Sequence, residues 1–227
     1  MFVKVCGITT EEDALLAVAM GADALGFVFA PGSPRQLRPG AARDIVSHLP
    51  VGEVLTIGVF RDERPEHVVE IVNTVGLKGA QLHGREPLSD VRYIRDRIGL
   101  VIQAFAAGDP AMASAAEGPA DLVLIDAPEA GSGKVFDWSV AEGAPGGTRL
   151  VLAGGLTSDN VAEAIEQVRP WGVDVSSGVE TTPGSGRKDP RKLRRFVEAA
   201  KAAGDRLVQG GWTAGPDLPY DWQDEGT

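Results

Sequence analysis

A chain of 227 residues can form one α/β barrel or two small domains, and it buries a full core without covalent staples. Its formal net charge of −10, from 32 acidic and 22 basic side chains, speaks against a nucleic-acid or anionic-membrane partner, so an anionic substrate would need a local positive site. One cysteine excludes an internal disulfide and a multi-cysteine metal site, and the scattered His48, His67 and His83 have no metal-ligand spacing, so no metal is expected.

The first apolar stretch, 2–6, ends at the lone Cys6, and Gly7 and Thr9 break it. Glu11-Glu12-Asp13 then open a helix over 11–21, where acidic side chains suit the positive end of the helix dipole. Strands follow at 24–29, 53–60, 79–83, 100–105, 121–126, 149–153 and 172–176. Between and after them lie helical patterns at 39–49, 64–75, 88–98, 110–117, 137–143, 159–168 and 190–203, of which 110–117 and 137–143 are short. Pro39, Pro65, Pro110 and Pro190 stand at or near helix starts, where a missing N–H costs little. Eight near-continuously hydrophobic strands alternating with helices predict a parallel sheet buried on both faces. In this length, eight such units predict an α/β chain with a single (β/α)8 TIM barrel over 1–204 as the catalytic domain. Residues 205–227 form a short acidic C-terminal extension without periodicity, either a disordered tail or an arm that docks Trp212, Tyr220 and Trp222 on a surface. Deleting 206–227 is expected to leave activity intact. No apolar run reaches the roughly 18 residues of a membrane span, and Met1-Phe2-Val3-Lys4 lacks the parts of a signal peptide, so a soluble, cytoplasmic protein is expected.

In such a barrel the chemistry sits at the C-terminal ends of the strands. The first tip is Cys6, for which an inert buried hydrophobe and a functional thiol both stand as readings. The sixth is Asp126, a general acid if desolvation raises its pKa, or else a solvated loop aspartate or helix cap. Paired Gly154-Gly155 after the seventh strand and Ser176-Ser177-Gly178 after the eighth leave backbone amides open to a phosphate, against a plain reading as tight turns. Arg35, in the loop Ala30-Pro31-Gly32-Ser33-Pro34-Arg35, is placed to fork onto a carboxylate or to stay solvated. Gln81 and His83 line the mouth or hydrogen-bond within it, and His83 counts among the candidate substrate-binding residues. Asp174 and Asp189 read as capping or loop-bracing residues. First and sixth strands stand on roughly opposite sides of an eight-stranded ring, so Cys6 and Asp126 flank one small phosphorylated substrate. A thiolate base facing a carboxylic acid suits proton shuttling between neighbouring carbons, an isomerisation that needs no cofactor. The amides of Gly7-Ile8-Thr9, at the following helix start, are the expected means of lowering the thiol pKa.

An ordered set of segments closely resembles the phosphoribosylanthranilate isomerase family. It runs through Lys4-Val5-Cys6-Gly7-Ile8-Thr9, Gly21-Ala22-Asp23-Ala24-Leu25-Gly26-Phe27-Val28-Phe29 with Ser33-Pro34-Arg35, Gly58-Val59-Phe60, Gln81-Leu82-His83-Gly84 and Leu124-Ile125-Asp126. It continues with Gly131-Ser132-Gly133-Lys134-Val135-Phe136-Asp137-Trp138, Leu152-Ala153-Gly154-Gly155-Leu156 with Asn160-Val161, and Val173-Asp174-Val175-Ser176-Ser177-Gly178-Val179-Glu180 with Gly186 and Lys188-Asp189. The resemblance implies an Amadori rearrangement of N-(5-phosphoribosyl)anthranilate to its 1-deoxyribulose isomer in tryptophan biosynthesis. It implies Asp126 as general acid, Cys6 as general base, Arg35 on the anthranilate carboxylate, and the amides around Gly154, Gly155, Ser177 and Gly178 on the phosphate. Ala127-Pro128-Glu129-Ala130 with the following glycines reads as a mobile lid, and the chain is expected to work as a monomer or homodimer.

Rival readings fit less well. Histidine-pathway sugar isomerases use aspartate at both tips and a second phosphate site, whereas Cys6 holds the first tip here. A metal-dependent epimerase needs more histidines and acids, and an indole-forming synthase needs a lysine inside the barrel, for which Lys4, on the same side of the strand as Cys6, is a weak candidate. A non-catalytic scaffold barrel would not keep Cys6, Arg35 and Asp126 together.

Overall fold

A computed structural model describes residues 1–126 and 149–211. Eight parallel strands close into a barrel in chain order: β1 (Phe2–Cys6), β2 (Ala24–Val28), β3 (Leu55–Phe60), β4 (Gly79–Leu82), β5 (Leu100–Ala106), β6 (Leu122–Asp126), β7 (Leu150–Leu152) and β8 (Gly172–Val175). β8 pairs back onto β1 with Val3 beside Val173 and Lys4 beside Asp174, which seals the ring. The helices are α1 (Glu11–Ala19), α2 (Pro39–Ser47), α3 (Pro65–Val75), α4 (Leu88–Arg95), α5 (Val161–Val168) and α6 (Pro190–Gln209). The single (β/α)8 TIM barrel expected from strand spacing is therefore the architecture.

Because successive strand residues face opposite ways, each strand feeds two cores. Ala24, Ile57, Ile102, Ala104, Leu122, Leu124, Val151 and Ala153 fill the barrel axis. Leu25, Phe27, Val101, Phe105, Val123 and Ile125 point outward against helix residues such as Val68, Ile94, Ile165 and Phe196. That two-sided demand is why the strands read as continuous apolar runs. Pro39, Pro65 and Pro190 occupy the first turns of α2, α3 and α6, as their missing N–H suggested, and Asp189 caps α6 by accepting from the Arg191 and Lys192 amides at 2.8 and 3.1 Å.

Two elements differ from the sequence expectation. Residues Pro110–Glu117 form a 3₁₀ helix after β5, capped by Asp109, rather than an α-helix. The last helix, expected over 190–203, continues to Gln209, because Leu207 packs on the core and Arg206 pairs with Glu166 of α5 at 2.8 Å. A cut at 206 would remove its last turn. The expected helix 137–143, the lid at 127–133, the segment 131–138, and Trp212, Tyr220 and Trp222 of the extension lie outside the described residues. Among the described residues no helix is long and apolar enough to cross a membrane.

Candidate active site

The strand tips open on a cavity of about 990 Å³. All nine residues nominated from the sequence line it: Cys6, Arg35, His83, Asp126, Gly154, Gly155, Ser176, Ser177 and Gly178. Cys6 ends β1 and Asp126 ends β6, three strands away through β8 and β7, so the two look into the same space from separate walls.

Cys6 lies in a charged corner. Its strand neighbour is Gly26 on β2, and two residues lower on β1 Lys4 lies beside Asp174 of β8. A side chain on Gly26 would come within 2.8 Å of the Cys6 Sγ and 3.2 Å of the Lys4 Nζ, so only glycine leaves room for both. Lys4 is fully buried and donates to Asp174 Oδ1 at 3.0 Å. Burial pushes the Cys6 thiol above its ordinary pKa and outweighs the pull of Lys4 and Lys188. This corrects the expectation that the Gly7-Ile8-Thr9 amides lower it. The Ile8 amide is spent on the Gly26 carbonyl at 3.0 Å, and α1 begins only at Glu11 behind the Thr10 cap.

On the other wall, His83 Nε2 stands 3.3 Å from Asp126 Oδ2, and Gln81 Nε2 lies 2.9 Å from His83 Nδ1. With the Gln81 amide donating, Nδ1 accepts and Nε2 carries the hydrogen that faces Asp126. Gln81 Oε1 is buried and has no hydrogen-bond partner among the described residues.

Arg35 is neither solvated nor open on all its edges. Its Nε and Nη2 fork onto the two oxygens of Glu180 at 2.6 and 3.0 Å, and both residues are buried. Burial favours the neutral form of Glu180, but Arg35 and Lys188 outweigh it and hold the carboxyl below its usual range. Lys188 also donates to the carbonyls of Cys6 and Ser176 at 2.7 and 3.2 Å, tying the segment after β8 to the β1 tip. Burial lowers the Lys188 pKa more than Glu180 and Cys6 raise it. Among the described residues the hydrogen bonds of the Arg35 guanidinium run from Nε and Nη2, not from Nη1.

The loops after β7 and β8 touch. Gly154 and Gly155 have φ of 86° and 66°, a left-handed backbone that favours glycine. Asn160 braces the first loop, donating to the Gly155 carbonyl at 3.0 Å and accepting from the Thr157 amide at 2.8 Å. Gly178 packs so closely on the Leu156 carbonyl that a β-carbon there would collide with it.

Sequence reasoning missed the partners of the nominated residues. Asp174 reads as a loop brace yet pairs with Lys4, and Glu180 and Lys188 carry no signal in isolation. The one legible clue was a lysine two residues before Cys6 on the same strand face, a costly buried charge unless paired.

Residues 3–199 match the family described as PRAI, N-(5'-phosphoribosyl)anthranilate isomerase. The N-(5'-phosphoribosyl)anthranilate isomerase of Rubrobacter xylanophilus is 46% identical over 206 residues, covering 88% of this chain and 98% of the relative. The crystal structure of phosphoribosyl anthranilate isomerase from Thermus thermophilus superposes with a TM-score of 0.82 at 42% identity, covering 89% of this chain and 99% of that one. A phosphoribosyl anthranilate isomerase in complex with reduced 1-(o-carboxyphenylamino)-1-deoxyribulose 5-phosphate gives a TM-score of 0.77 at 42% identity, with 89% and 99% covered. Identity at this level across nearly the whole barrel extends the likeness beyond the fold: the chain belongs to the N-(5'-phosphoribosyl)anthranilate isomerase family.

Proposed function

We propose that this chain isomerises N-(5'-phosphoribosyl)anthranilate, a step of tryptophan biosynthesis, with Asp126 as general acid and Cys6 as general base. The observation that carries the assignment of roles is the placement of a thiol and a carboxyl on separate walls of one cavity, with glycine amides at its edge. Asp126 protonates the ribose ring oxygen as the bond from that oxygen to C1 breaks, leaving an open-chain iminium. His83 Nε2–H then faces the carboxylate that remains. The positive iminium acidifies the C2 hydrogen, Cys6 removes it, and the resulting enolamine tautomerises to the ketone. Burial makes Cys6 a weak acid and therefore a strong base once ionised, and the adjacent cation favours that ionisation.

Two groups orient the substrate in this reading. The amides of Gly154, Gly155, Ser177 and Gly178 receive the phosphate. Arg35, with two of its nitrogens on Glu180, turns its remaining edge to the anthranilate carboxylate. The deciding experiment follows loss of phosphoribosylanthranilate fluorescence and, in parallel, turnover of the histidine-pathway aminoimidazole substrate. Rapid loss of the first supports the proposal, and turnover of the second alone would remove it.

Two substitutions probe the orienting groups. Arg35→Ala should raise KM more than it lowers kcat, and it should also destabilise the fold by about 3 kcal/mol, because Glu180 is left as an undercompensated buried charge. Steady-state kinetics with a thermal melt separates the two effects, and an unchanged KM with a lowered kcat would show the carboxylate assignment wrong. In Gly178→Ala the new methyl meets the Leu156 backbone, so the two loops must part. An overpacking cost of a kcal/mol or more corresponds to about a tenfold rise in KM and in the inhibition constant of inorganic phosphate. Wild-type phosphate inhibition in this variant would detach these loops from the phosphate.

A further inference from the structure

The barrel interior beneath the thiol holds a charge that the reaction scheme leaves unused. Lys4 is 0% exposed and ranks first among the large, fully buried side chains of the described residues. An ammonium in such a place is costly unless it is matched by negative charge and hydrogen bonds. Asp174 supplies one match at 3.0 Å, and the parallel register sets the two side by side on neighbouring strands. The second group beside Lys4 is Cys6: a β-carbon placed on Gly26 would lie 2.8 Å from the thiol sulfur and 3.2 Å from the ammonium nitrogen, so the two side chains meet over that glycine. Lys4 and Cys6 are two residues apart on β1, so both project inward, and both converge on the bare face of Gly26.

The other charges around the thiol have fixed tasks. Lys188, on the segment after β8, spends its ammonium on the carbonyls of Cys6 and Ser176 and faces Glu180 at 3.5 Å. Arg35, from the loop after β2, is held by Glu180. Asp126 and His83 belong to the far wall, and the thiol's packing neighbours on β2 and β3 are the apolar Val28 and Val59. Among the described residues, that leaves Lys4 as the cation that shares the space over Gly26 with the thiol.

We propose that Lys4, held by Asp174, is a positioning residue that supplies the counter-charge of the ionised Cys6 thiol, so that the base is tuned from inside the barrel. The inference rests on the reading of Cys6 as the base. Burial works against the charge on Lys4, but Asp174 and Cys6 outweigh it and keep the group an ammonium. Among the influences on the thiol, Lys4 is the largest that opposes burial, ahead of the contrary effect of Asp174.

Since the chain has one cysteine, alkylation by iodoacetamide as a function of pH reads the ionisation of Cys6 alone, without substrate. In Lys4→Met the midpoint should rise by about one pH unit or more, and the acid limb of kcat/KM should move upward with it, with KM at high pH little changed. A purely structural lysine would lower the melting temperature and leave both midpoints in place. If Lys4→Met does not fold, Lys4→Met/Asp174→Asn removes the orphaned carboxylate as well, and its alkylation midpoint should still lie above that of the parent chain. A midpoint at or below the parent value, in whichever variant folds, overturns the proposal. Turnover of Cys6→Ser reports separately on the base: a shifted midpoint beside an active Cys6→Ser would retain the ion pair and remove the catalytic consequence.

Discussion

Cys6→Ser is expected to lose turnover by about 10³- to 10⁴-fold while a product analogue still binds. The hydroxyl is smaller than the thiol and fits the space over Gly26, so packing around β1 is undisturbed. What disappears, on the proposed mechanism, is the base. A serine hydroxyl beside Lys4 is far harder to ionise than a thiol, and the nearby Arg35 and Lys188 are engaged with Glu180. Calorimetry with a reduced product analogue, beside steady-state kinetics, separates binding from chemistry. A kcat near that of the parent would take Cys6 out of the mechanism.

Asp126→Asn is expected to reduce kcat by about 10²- to 10⁴-fold with little change in binding. The amide has the same shape and keeps a polar atom toward His83, but it has no acidic proton for the ribose ring oxygen. Ring opening then becomes the slow step. With His83 3.3 Å from the carboxylate, His83→Ala should give a smaller loss than Asp126→Asn, since it removes a partner of the acid rather than the acid.

Much of this site was legible before any coordinates. Each strand end could be read because parallel barrel strands are short apolar runs that stop at glycine, proline or a charged residue. Cys6 and Asp126 sit where such runs stop, and Gly154-Gly155 and Ser176-Ser177-Gly178 follow the last two. The helix starts at Pro39, Pro65 and Pro190 were equally local. The end of α6 was not, because its final turn is stabilised by Leu207 on the core and by Glu166 on another helix. The 3₁₀ helix at Pro110–Glu117 likewise differs from a helix in hydrogen-bond span rather than in apolar pattern.

Residue type and spacing along the chain were enough to determine the barrel, the order of its strands and which side chains stand at its mouth, because those follow from local periodicity and from the rule that strand C-termini carry the site. The ionisation of those side chains was decided by tertiary structure alone. Lys4 and Asp174 are 170 residues apart, as Arg35 and Glu180 are 145 apart, and each pair exists only because the ring closes β8 onto β1. A pKa depends on burial and on charges a few ångströms away, and neither is a property of neighbouring positions in sequence. For that reason the thiol read as one tuned by the amides that follow it, whereas in the folded barrel it is raised by burial and faces a lysine two residues before it.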